Sequence, residues 1–191
     1  DPSPSKIQEA IAAAFSTTDS KTEGVTGGST CVCCLLLNDT ESLSRKVLYS
    51  ANCGDSRAVY SHGETVDVLT YDHKGTDYNE MNRVLDAGGK IKRGRVNTQL
   101  AVTRAFGNCK WKQYVISEPY QTRVELTDDD CTFLILASDG LWDVVPVQDA
   151  VNVGKQQMIQ QQHSAQECAN ELLRLAKEKG STDNVMVVAL N

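Results

Sequence analysis

No apolar run in this chain is long enough to cross a bilayer as a helix. CVCCLLL (31–37), FLILA (133–137) and VMVVAL (185–190) fall far short of the roughly 20 residues a span needs and read instead as buried strands. No long basic run occurs either: 19 Lys plus Arg stand against 25 Asp plus Glu, a formal net charge of -6. Those two absences leave neither a membrane nor nucleic acid as an expected partner. Neither GxxxxGK(S/T) nor GxGxxG is present, which removes a nucleotide-cradling loop, and Gly27-Gly28 and Gly88-Gly89 meet turn requirements only. The seven cysteines form no two separated CxxC knuckles. Cys31, Cys33, Cys34, Cys53 and Cys131 sit inside apolar stretches, so we expect free buried thiols in a reducing compartment, the cytoplasm or nucleus, rather than disulfides or zinc. The first residues show no signal-peptide pattern, and a start at Asp1 without Met says nothing about targeting.

What is present is a series of short strands broken by capped helices. At 191 residues the chain fits one domain, 1–191. After Asp1-Pro2-Ser3-Pro4, Ser5 and Gln8 form a capping-box pattern, and Ile7, Ala10, Ile11, Ala14 and Phe15 recur at helical spacing. A polar stretch over 17–28 leads to strand 31–37, the connection NDTESLSR and strand 47–52. Arg57 to Ser61, a Gly63 turn and DVLT (67–70) continue this meander. Asp77 and Glu80 open a second helix, with Met81, Val84 and Leu85 directed inward and Gly88-Gly89 stopping it. Segment 90–121 has no assignable periodicity. Then come strand 122–126, a turn at 128–130, a buried strand at 132–138 and a helical stretch from about Val147. Ser164 and Glu167 form a capping box for a last helix that buries Ala165, Cys168, Ala169, Leu172, Leu173 and Ala176 and ends at Gly180. Strand runs with helices grouped between them favour an α+β layered sandwich over a doubly wound parallel sheet.

Three carboxylates share one context. Asp55 follows VLYSANCG, Asp139 follows FLILAS, and Asp183 precedes NVMVVAL. Strands of a sandwich deliver their ends to a common rim, where like charges converge only if a cation or protons neutralise them. All-oxygen donors suit Mg or Mn rather than zinc or copper. Taken singly, however, Gly-Asp, Asp-Gly and Thr-Asp-Asn are also ordinary turn chemistry.

The surrounding motifs, GSTCVCCLL (28–36), LYSANCGDSRAVY (48–60), LTYDHK (69–74), EMNRVLDAGG (80–89), RVNTQLAVTRAFGN (95–108), VISEP (115–119), FLILASDGLWDVV (133–145) and GSTDNVMVVAL (180–190), resemble the protein phosphatase 2C family in its own order. The resemblance implies a four-layer α-β-β-α sandwich of two antiparallel sheets flanked by helices, with a two-ion Mg or Mn centre at one end. It implies metal ligation by Asp139 and Asp183, and a third, weaker position involving Asp55 and Asp143. The family's Asp-Gly-His-Gly-Gly stretch and its phosphate-gripping Arg have no counterpart here. The chain therefore reads as a partial catalytic domain with the N-terminal part missing. Arg57, Arg95 and Arg104 read as structural pairs, Trp111 and Trp142 as apolar anchors, and His73 as no catalytic acid. Asn108 stands where many relatives carry Asp.

The implied activity is metal-dependent hydrolysis of phosphoserine and phosphothreonine in a phosphorylated protein substrate, with the chain itself impaired. No side chain is assigned as a catalytic acid or base. The alternative is a phosphatase-like pseudoenzyme that binds a partner without chemistry. Uncovered sheet edges predict self-association.

Overall fold

The computed structural model describes residues 3–38, 46–126 and 132–191. It contains two bodies: 1–31, 51–55 and 71–121 form the first, and 32–50, 56–70 and 122–191 the second. The expected turn at 128–130, Cys131 and most of NDTESLSR lie outside the described residues.

The second body has helix–sheet–sheet layering. One sheet has the order β11 (Val187–Leu190), β10 (Phe133–Ala137), β4 (Arg57–His62), β5 (Thr65–Val68), and every neighbouring pair in it is antiparallel. The register sets Val59, Ile135 and Ala189 in one row and Tyr60, Leu134 and Leu190 in the next. Side chains alternate between faces along a strand. Accordingly Val59, Phe133, Ile135 and Ala137 pack with the helices α3 (Asp139–Trp142), α4 (Val147–Gly154) and α5 (Ala165–Glu178). Ala58, Tyr60 and Leu134 face the other way, against Leu48 of β3 (Lys46–Cys53), Val32 of β2 (Cys31–Asn38) and Val124 of β9 (Tyr120–Leu126). Those last three strands make the second sheet, ordered β2-β3-β9. The α+β sandwich read from the sequence is the observed fold. In α5 the capping box is complete, with Ser164 Oγ accepting from the Glu167 N–H and Glu167 Oε2 from the Ser164 N–H, and Gly180 (φ 84°) terminates the helix region.

The first body is built on α1 (Pro4–Ser20), whose Phe15 and Ile11 pack on Ala51 and Cys53 at the end of β3 and on Phe106. Here the expected Ser5–Gln8 capping box does not form. Ser3 is the N-cap, without a side-chain bond, and Pro4 occupies the first turn, where its missing N–H costs nothing. The helix also runs on to Ser20, into the stretch read as polar connection. β1 (Gly28–Ser29) pairs with β8 (Phe106–Gly107). α2 (Tyr78–Asp86) is capped by Asp77, whose carboxylate accepts from the Glu80 N–H at 2.9 Å. Its inward face is Glu80 and Val84, whereas Leu85 is 45% exposed. The unassigned segment 90–121 holds the hairpin β6 (Ile91–Lys92) and β7 (Arg95–Val96), β8 and a 3-10 turn at Cys109–Trp111.

Two strands expected to be buried are not. β2 is half exposed, with Cys33 on the surface and Leu36 52% exposed. β11 is an edge strand that leaves Val188 and Leu190 about half exposed, with Met186 before it also open. An apolar run reports the wish to be buried, and only the neighbouring strand order says whether a strand has cover on both sides. DVLT is likewise shifted, since β5 begins at Thr65. Among the described residues no helix is long and apolar enough to cross a membrane.

Candidate functional site

β10 stops at Ala137, and the chain turns through Ser138 into α3, whose first residue is Asp139. The segment that precedes β11 is pressed onto this turn. Ser138 N–H donates to the Met186 carbonyl at 3.1 Å, and its hydroxyl accepts from the Met186 N–H at 3.1 Å while donating to the Asn184 carbonyl at 3.2 Å. Ser181 Oγ donates to the Gly140 carbonyl at 2.7 Å. A Cβ on Gly140 would sit 2.3 Å from the Asn184 carbonyl oxygen, so the approach requires glycine. These contacts bring the Asp139 and Asp183 backbones to the same end of the sheet. Asp183 accepts from the Asn184 N–H at 2.7 Å, which fixes its carboxylate locally. Asp143 lies one turn beyond Asp139, its N–H bonded to the Asp139 carbonyl at 2.8 Å. Behind them Trp142 is buried, its indole N–H donates to the Ala137 carbonyl at 3.0 Å, and the Arg57 guanidinium lies 5.5 Å over its ring.

Asp55 belongs to the first body, two residues past the end of β3. It is 4% exposed and forms an ion pair with Lys74 at 3.4 Å. Its turn is clamped by the 71–74 segment. Asn52 Nδ2 donates to the Gly54 and Tyr71 carbonyls at 3.0 and 2.7 Å, and its Oδ1 accepts from the Tyr71 N–H at 3.1 Å. His73 N–H donates to the Gly54 carbonyl at 3.0 Å. The Gly54 N–H donates in turn to His73 Nδ1 at 3.2 Å. Nδ1 also lies 3.0 Å from the Gly54 carbonyl oxygen, so one tautomer accepts from the Gly54 N–H and the other donates to that carbonyl. Nε2 is buried without a hydrogen-bond partner. Burial and the Arg104 charge pull the imidazole down from 6.5 to about 4. A neutral, fully buried ring of that kind holds a turn; it is not a proton donor near pH 7.

The sequence did not flag Glu80 as a centre. Its carboxylate, 3% exposed, accepts from Arg83 Nη2 at 2.9 Å, Arg104 Nη2 at 2.7 Å and Thr103 Oγ1 at 2.6 Å. Burial alone would raise its pKa. The hydrogen bonds from Arg104, Arg83 and Thr103 outweigh burial and hold it at about 2. Arg83 and Arg104 also donate to the Tyr114 and Glu118 carbonyls, at 3.0 and 2.8 Å, tying α2 to the 103–118 segment. The cue was the Glu three residues after an Asp cap, which reads as capping chemistry until its burial is seen.

Asn108 adopts φ 51°, a left-handed conformation that Asn tolerates better than most residues, with its side chain against Gly28. It therefore has a conformational reason to be Asn.

The donor chemistry at Asp139 and Asp183 suits a hard cation, but the number of donors does not. Mg takes six oxygens in near-octahedral geometry. Among the described residues no three His, Cys, Asp or Glu side chains come together as a metal cage. These residues do not complete an ion site by themselves.

The chain belongs to the protein phosphatase 2C family, whose pattern it matches over residues 3–185. It is 42% identical over 182 residues to protein phosphatase 2C homolog 1 of Saccharomyces cerevisiae, covering 90% of this chain and 62% of that protein. It is 40% identical over 148 residues to protein phosphatase 2C homolog 1 of Schizosaccharomyces pombe, covering 78% of this chain and 41% of that protein. Among solved structures, a C. elegans sex-determining protein superposes with a TM-score of 0.74 at 28% identity over 97% of this chain and 44% of that one. A phosphatase from Toxoplasma gondii superposes with a TM-score of 0.78 at 18% identity over 99% and 74%, a likeness of fold. The chain thus spans 62% and 41% of the length of these two yeast relatives.

Proposed function

We propose that the protein to which this chain belongs hydrolyses phosphoserine and phosphothreonine in phosphorylated proteins with Mg or Mn, and that the 191-residue chain alone turns over little. The observation that carries this reading is the family match over 3–185, joined to the packing that sets Asp139 and Asp183 at one sheet end. Asp139 and Asp183 are the proposed metal ligands, with Asp143 of the same body contributing to a weaker position. A bound divalent ion of this type activates water and neutralises charge on a phosphoryl group. The chain's own part is to hold the two carboxylates in place through Ser138, Gly140 and Ser181. The cytoplasm and nucleus are the proposed compartments, on the sequence reading of the cysteines as reduced thiols.

The test is phosphate release from a phosphothreonine peptide by the complete gene product. Activity should require Mn or Mg, and Asp139→Asn should abolish it. Full activity in EDTA, or an unaffected variant, would sink the mechanism. The lack of a three-donor cluster among the described residues favours one competing reading, a non-catalytic binding module. Complete gene product that takes up no Mn in equilibrium dialysis would establish that reading instead.

A further inference from the structure

Most cations of the first body that lie near its core are matched. Lys74 pairs with Asp55, Arg83 and Arg104 with Glu80, and Lys112 with Asp19 at 2.7 Å. The β6–β7 hairpin is different. Lys90, Lys92, Arg93 and Arg95 fall within six residues, all are exposed, and among the described residues none of them pairs with a carboxylate. This occurs in a chain whose formal net charge is -6.

The hairpin presents these charges in a fixed arrangement. Ile91 pairs with Val96 and Lys92 with Arg95. Val96 is buried, and Ile91 packs with it against Val84 and Val115. Alternation then sends Lys92 and Arg95 to the opposite, outer face. The base is closed by Asn97, whose N–H donates to the Lys90 carbonyl at 2.7 Å and whose Oδ1 accepts from the Lys90 N–H at 3.1 Å.

Two features work against local stability. Like charges directly opposite one another across a strand pair are destabilising, and Lys92 and Arg95 are such a pair. The turn between them needs positive φ at both central positions, where Asn-Gly or Asp-Gly is preferred, yet Arg93 occupies the first with φ 52°. Neither choice improves the packing of the hairpin. Unfavourable local choices that persist on a well-anchored element point to a role outside folding.

We infer that the β6–β7 hairpin is a docking surface for acidic segments of a protein partner, with Lys90, Lys92 and Arg93 as the contact charges. The patch is too small for a nucleic-acid groove on an acidic chain, and the hairpin's apolar residues, Ile91 and Val96, face inward and offer nothing to insert into a bilayer. An acidic peptide strand matches it in size and sign. That the partner is a phosphoprotein substrate rests on the function proposed above; the docking itself does not.

The test therefore reads binding of an unphosphorylated probe. Fluorescence anisotropy of a labelled peptide bearing four consecutive Glu is measured with the 191-residue chain, beside the same peptide with Gln in their place. Lys90→Gln/Lys92→Gln/Arg93→Gln should weaken the Glu peptide roughly tenfold, as three exposed ion pairs of ordinary strength would, and leave the Gln peptide unchanged. Arg95 is kept because it donates to the Gln99 carbonyl at 2.9 Å and supports the next turn. Added salt should remove the preference for Glu. Equal binding of the two peptides, or an unaltered triple variant, would overturn the inference. So would tighter binding to phosphatidylserine vesicles or duplex DNA than to the Glu peptide. Loss of phosphate release in the complete protein, with Glu-peptide binding intact, would count against the proposed function alone.

Discussion

Replacing Glu80 with Gln isolates the charge at the centre of the first body. The carboxylate is 3% exposed and sits between two guanidinium groups and a threonine hydroxyl. Removing one partner of a buried ion pair typically costs about 3–5 kcal/mol, because the other charge stays behind. Arg83 and Arg104 keep 25% and 18% of their side-chain surface in water, which places the expected loss at the low end, about 3 kcal/mol. The pKa leads to the same figure. A carboxyl moved from 4.5 to about 2 contributes about 3 kcal/mol through proton linkage. Because the folded pKa is depressed, that stability is present above pH 4.5 and is lost as pH falls toward 2. Urea unfolding followed by Trp111 fluorescence, in a Trp142→Phe background so that Trp111 reports alone, should show the Glu80→Gln deficit near neutrality. The deficit should shrink as pH drops below 4.5, where the unmodified chain protonates too. A deficit below about 1 kcal/mol, or one that stays constant with pH, would refute the assignment of Glu80 as a stabilising buried charge.

Three further outcomes follow from the same structure. His73 is held neutral, at about 4 against 6.5, so the unfolded chain takes up its proton first. Stability should fall as pH drops from about 6.5 to about 4, by about 3 kcal/mol in all, and His73→Gln should flatten that interval in a urea titration. Gly140→Ala places a Cβ 2.3 Å from the Asn184 carbonyl, an overpacking against backbone worth roughly 2 kcal/mol; an unchanged unfolding midpoint by Trp142 fluorescence would show that the loop yields freely. The exposed Met186, Val188 and Leu190 on an edge strand should make the 191-residue chain self-associate. Light scattering should report species larger than a monomer, reduced by Val188→Lys, and a clean monomer would contradict this.

Much of this architecture was legible locally. The α5 capping box, the Asp77 cap, the glycine stops at Gly88 and Gly180 and the strand at 133–137 all follow from short-range chemistry between neighbouring residues, and the structure contains each of them. The α1 start was misplaced because Ser5–Gln8 and Ser3-Pro4 are both plausible openings, and only the fold selects between them. Segment 90–121 defeated pattern reading for a physical reason. Its elements are two-residue strands and bridges held by long-range partners such as Glu80, and no repeat of two or 3.6 can develop over so few residues.

The sequence by itself determined the family, the mixed α+β class and the identity of the strand-end aspartates, since motif order and capping are properties of neighbours along the chain. Tertiary structure alone decided which apolar strands lack cover, that Glu80 is a buried ion-pair centre, that His73 clamps a turn, and that four cations crowd an exposed hairpin without carboxylate partners among the described residues. Burial and charge pairing are set by what lies opposite in space, and residues far apart in sequence supply it.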